Sequence, residues 1–161
     1  MRRGLWFGLL IIPAALVQMV WANSMAIYGA RPNFIILLIS LEAMFCSANG
    51  GSILGFSGGL IYAIIAAPSN SGFGSLVVSG SVVGFCIGWL DNRIFRDNIL
   101  LAMSLAGAGS LLFEVLFFLL APQPHLNRWI THVWLTPIYN SILAIPMFFL
   151  IRRVYGSGVK I

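Results

Sequence analysis

Few side chains in this sequence could do chemistry. There are four carboxylates, nine Lys or Arg and two His, against seventeen Gly and a hydrophobic share of 60%. Two of the carboxylates, Glu42 and Glu114, fall inside long apolar runs. An ionised acid at the centre of a membrane helix costs about 2.5–3.5 kcal/mol on insertion scales. Each must therefore face protein, water or a proton. Met103, Gly107, Ser110 and Glu114 would share one helical stripe, and Ile35, Glu42, Cys46 and Asn49 another. Both acids could line a common interior. The sharper reading is a proton or cation site; the preferred one is a polar clamp between helices.

The remaining candidates point away from catalysis. Asp91 and Asp97 lie among Arg93 and Arg96, a solvated charge cluster. His125 and His132 stand seven apart with no Cys or carboxylate nearby in that loop, so no metal set is expected. Cys46 and Cys86 read as buried free thiols packing as small hydrophobes. No G-x-S-x-G elbow, H-E-x-x-H or phosphate-binding loop occurs. The expectation is a protein without enzymatic activity, cofactor or metal.

The clearest spacing belongs to glycine. Gly51, Gly55 and Gly59 repeat at four, as do Gly80, Gly84 and Gly88. That interval puts each set on one helical face, where a missing side chain lets backbones approach closely. Packing of the two helices on each other is the preferred reading, and docking of a foreign helix the second. Pro137 suits a first helical turn. Pro146 should interrupt a helix and release a carbonyl near residue 142. Asn140 reads as a helix–helix contact.

The elements that must position these residues follow from composition. Only 8% of residues are charged, and mean hydropathy is +0.97. Typical soluble domains carry about 25% charge, so a soluble enzyme is excluded, and so is disorder. An all-α integral membrane protein of six spans is predicted, as one transmembrane domain over 1–161. The spans are 5–21, 34–48, 53–67, 73–90, 99–120 and 134–151. The second and third, at fifteen residues, are shorter than the roughly 20 a crossing needs. Runs such as Leu111–Leu120 do not alternate, which argues against a barrel.

An even number of spans puts both termini on one side. That side holds Arg2, Arg3, Arg93, Arg96, Arg152, Arg153 and Lys160; the other holds Arg31 and Arg128. The positive-inside rule then places both termini in the cytoplasm. Trp6, Trp89 and Tyr155 fall at inner ends, and Trp21, Trp129 and Trp134 at outer ends. The net charge of +5 is mostly this topological signal, so no nucleic-acid partner is expected. Val20-x-Ala22 has a cleavage-like pattern, but the segment is read as a span.

Taken in order, the pieces resemble the rod-shape-determining MreD family. Arg31-Pro32-Asn33 opens the second span, Gly51–Gly88 make the third and fourth glycine-rich, and Pro137-Ile-Tyr-Asn140 leads through Pro146 to Arg152-Arg153. One departure stands out: family members often carry an acid downstream of the third-span glycines, where this chain reads Leu60-Ile-Tyr62-Ala63. The resemblance implies a non-enzymatic scaffold of cell elongation that binds MreC. The wider complex would be MreB and the RodA–class B penicillin-binding protein synthase of peptidoglycan, with membrane lipids around it. It also implies a fold similar to the S-components of energy-coupling-factor transporters. A vitamin-binding transport subunit is therefore the alternative. Such subunits usually carry Ala-x-x-x-Ala in the first span, whereas here Ala14 and Ala15 are adjacent.

Overall fold

The computed structural model describes residues 2–21, 24–26, 30–66, 72–90, 98–121 and 126–156, with side chains placed over 8–21, 24–26, 30–66, 72–90, 98–121 and 133–153. Among the described residues the chain is all-helical, in six helices. These are α1 (Arg2–Val20), α2 (Phe34–Ala43), α3 (Ala48–Ala66), α4 (Phe73–Trp89), α5 (Ile99–Leu120) and α6 (Leu126–Gly156).

The organising element is the shortest. The run Phe34-Ile-Ile-Leu-Leu-Ile-Ser-Leu is apolar on every side, the pattern of a helix with no solvent face. From Ile35 to Met44 every side chain of α2 is buried. The other five helices surround it: α1, α3, α4, α5 and α6 all pack against α2. Ten residues of helix rise only about 15 Å, half of a bilayer core. The expected second span of 34–48 is thus a central helix too short to cross alone.

A turn at residues 44–47 follows α2. The Phe45 and Cys46 amides donate to the carbonyls of Glu42 and Ala43, which closes the helix. Ser47 then starts α3: its Oγ accepts from the Gly50 amide and its carbonyl from the Gly51 amide. The stretch Asn49-Gly-Gly-Ser52, expected to connect two spans, is therefore helical, and α3 begins at Ala48 rather than residue 53. Low helix propensity is overridden here by contact with α4.

That contact is backbone on backbone. A Cβ built on Gly51 would overlap the Gly84 carbonyl oxygen, and one on Gly55 the Gly80 carbonyl oxygen. A Cβ on Gly80 would lie 2.7 Å from the Gly55 oxygen, and one on Gly88 2.7 Å from that of Ser47. No side chain larger than hydrogen fits this seam. A second pair, α5 with α6, is closed through Gly107, whose absent Cβ leaves room for the Ser141 hydroxyl. Gly58 and Gly109 open space for α2 itself, admitting Ile39 and Ser40.

Three helical stretches, Ala48–Ala66, Ile99–Leu120 and Val133–Arg153, are long and apolar enough to cross a membrane; Gly8–Val20, Phe34–Ala43 and Phe73–Trp89 are shorter apolar helices. Large apolar side chains face outward, Ile53 at 68% and Trp134 at 62% exposure. Such a surface suits lipid rather than water.

Helix α6 starts at Leu126, eight residues before the expected 134, so Pro137 lies inside the helix and not in its first turn. The helix runs on through Pro146 as well. Neither proline can donate to the carbonyl four residues earlier. The early start follows from Leu126–Thr131, which extend α6 beyond its most apolar stretch.

Gly84→Ala should cost about 1–3 kcal/mol, because the new methyl meets the Gly51 carbonyl and the helices must separate. Gly74→Ala has nothing within 4 Å of its Cβ and should be neutral or slightly stabilising. Thermal unfolding in detergent distinguishes the two.

Candidate functional site

Among the described residues, a connected group of polar side chains surrounds the N-terminus of α2. A helix beginning inside apolar surroundings exposes amide groups that must find partners there. Three side chains supply them. Asn33 caps its own helix, its Oδ1 accepting from the Ile36 amide at 3.2 Å. Asn140 of α6 accepts from the Asn33 amide at 3.0 Å through Oδ1. Gln18 of α1 accepts from the Phe34 amide at 2.8 Å through Oε1.

Asn140 also donates. Its Nδ2 reaches the Ser110 hydroxyl of α5 at 2.7 Å and the Asn33 carbonyl at 3.4 Å. Ser110 in turn donates its hydroxyl proton to the Ala106 carbonyl at 2.8 Å. The amide orientation follows from the network, since only Oδ1 can accept from a backbone N–H. Asn140 is fully buried, and Asn33 is 4% exposed. Nearby, the Tyr139 hydroxyl donates to the Met25 carbonyl at 3.0 Å. One amide side chain thus joins α2, α5 and α6, and Gln18 adds α1.

Two segments that carry the family resemblance meet here, although 107 residues separate Asn33 from Asn140. Pro32 is buried beside them, and Arg31 is exposed. Pro137 is buried on the α6 face toward Gly107, shortly before Asn140. Pro146 lies exposed further along α6.

The two acids do not share an interior. Glu42 is fully buried in the last turn of α2, about 13 Å of helix rise from Asn33. Glu114 belongs to the other end: it lies one turn beyond Ser110 on α5, which Asn140 ties to Asn33. The Tyr62 ring packs on Phe113, centroids 5.8 Å apart. The two acids thus stand toward opposite ends of α2.

The six glycines are all in place on α3 and α4, with each face covered by the other. In each case the neighbouring helix fills the seam, the packing that the spacing of four suggests first. Cys46 is half-buried, whereas Cys86 is exposed on α4 and not buried as expected. Its position falls on the face of α4 turned away from the α3 seam. Among the described residues no group of three or more His, Cys, Asp or Glu could hold a metal ion. Arg93, Arg96, Asp91, Asp97, His125 and Lys160 lie outside the described residues, as do the side chains of Arg2, Arg3, Trp6, Arg128, Trp129, His132 and Tyr155.

Sequence reasoning did not identify Gln18, Tyr62 or Tyr139. Gln18 had a signal, as a lone amide among apolar residues in the first span. The tyrosines had none, because aromatic residues are ordinary in such segments. No family model matches the chain, and neither a curated protein nor a solved structure does.

Asn140→Leu strands the Asn33 amide in an apolar site and should destabilise the fold by about 2–3 kcal/mol. Ser110→Ala removes one acceptor and should cost about 1 kcal/mol. Thermal unfolding of the two variants in one detergent gives the order.

Proposed function

We propose that this chain is a non-enzymatic membrane scaffold of the cell-elongation machinery, similar to the MreD family. In this reading it binds MreC and helps to control peptidoglycan synthesis by the RodA–class B penicillin-binding protein synthase, together with MreB. It lies in a bacterial inner membrane as six helices with cytoplasmic termini, a fold similar to that of S-components, with α2 the short central member.

The observation that carries the reading is the meeting of Asn33 and Asn140. Both belong to segments on which the resemblance rests, and both are buried in one hydrogen-bonded group. Their polar atoms hold α2, α5 and α6 together. Residues of a ligand or catalytic site would instead present unused polar atoms to a cleft. A body built from such internal contacts acts by presenting surfaces to neighbours.

Co-expression with an MreC-type single-span protein tests this. The two should co-purify in mild detergent, and loss of the chain should turn rod-shaped cells round. A chain that never retains that partner, in cells that stay rod-shaped without it, overturns the proposal.

A further inference from the structure

Helix α1 is shallowly embedded. Among its described side chains only Ile11 and Ala14 are buried, and Leu16, Met19 and Val20 are each more than half exposed. It packs on α2 and α3, whereas α6 packs on α2 and α5. Among the described residues the ring of helices around α2 is therefore weakest between α1 and α6. Parting two helices in lipid turns apolar side chains toward a solvent as apolar as they are, so only packing and hydrogen bonds resist it.

A proline divides this helix. Pro13 lies inside α1 and cannot donate to the Leu9 carbonyl, which makes it the natural pivot. The two sides of the pivot are held differently. Before it, Ile11 enters the notch left by Gly58, its Cδ1 3.5 Å from where a Cβ would stand. After it, Ala14 is the one buried side chain. Two hydrogen bonds complete the attachment there. Gln18 accepts from the Phe34 amide at 2.8 Å, and the Tyr139 hydroxyl of α6 donates to the Met25 carbonyl, just past the helix, at 3.0 Å. Gln18 is three residues from Trp21, whose exposed indole suits a membrane–water interface. A Phe34 amide released at that depth meets interfacial water and lipid carbonyls rather than bare hydrocarbon.

We propose that residues 13–21 form a lid over α2, pivoting at Pro13 and latched by Gln18 and Tyr139. Closed, the lid covers the first turn of α2. Open, it presents the Phe34 amide and the adjoining flank of α2 to the bilayer, through the side between α1 and α6. The residues before Pro13 stay seated through Ile11. Tyr139 adjoins Asn140, so the lid latches onto the same stretch of α6 that holds Asn33. The lid follows from the seating of α1 alone, whether or not the chain is a scaffold.

Distances between paired spin labels on the full chain in liposomes test the lid. Labels on Leu16→Cys and Ile142→Cys, with Cys46→Ala and Cys86→Ala as background, follow the residues after Pro13. Labels on Leu9→Cys and Ile142→Cys follow those before it. All three labelled positions face outward. Gln18→Leu and Tyr139→Phe should each raise the share of a longer Leu16 distance about threefold, the effect of an average interhelical hydrogen bond in a membrane, and together roughly tenfold. The Leu9 distance should keep its wild-type value, which also shows that the variants are folded. Adding Pro13→Ala to the double variant should restore the short Leu16 distance. A Leu16 distance unmoved in the double variant overturns the inference. So does a Leu9 distance that moves as far, or a double variant that Pro13→Ala leaves open. Co-purification with a single-span partner is unaffected by any of these results, so the lid can fail while the scaffold reading stands.

Discussion

A helix buried on every side has to satisfy its own ends, and the rest of this structure depends on how α2 does so. Its interior amides are paired along the helix, but the first turn has no such partners. Asn33, Asn140 and Gln18 provide them. Because Asn140 and Gln18 come from α6 and α1, satisfying α2 also fixes where those helices stand. Ser110 extends the same constraint to α5. In an apolar environment water cannot replace any of these groups.

The glycine seam meets a different requirement. No hydrophobic force separates helix from lipid in a bilayer, so association rests on close packing and hydrogen bonds. The α3–α4 pair relies on the first, with carbonyl oxygens against glycine Cα atoms. The clamp around α2 relies on the second. Together they explain how a chain with so few charges keeps a defined interior. They also explain why its conspicuous glycines are unavailable to an outside helix.

Much of the architecture was legible from composition. An apolar, weakly charged chain predicts helices, and Phe73–Trp89 and Ile99–Leu120 follow their apolar runs closely. The α2–α3 region was not legible. Asn49-Gly50-Gly51 reads locally as a connection, and only the facing Gly84 and Gly88 make it helical. The start of α6 was misplaced because a hydropathy boundary marks an apolar core, whereas a helix can continue beyond it. Within the site, Asn140 was identifiable as a helix contact by type, but its partners lie on α2 and α5, far away in sequence.

By itself the sequence determined the solvent this protein prefers, the helical class and the two faces able to pack without side chains. Those properties follow from residue type and interval, which act locally. Tertiary structure alone decided that the glycine faces close on each other, that Glu42 and Glu114 stand apart, and that Asn33 meets Asn140. Each depends on the placement of α2, and a ten-residue apolar run does not encode whether it will be a span or a core. That outcome is set by five neighbouring helices competing for the same buried surface.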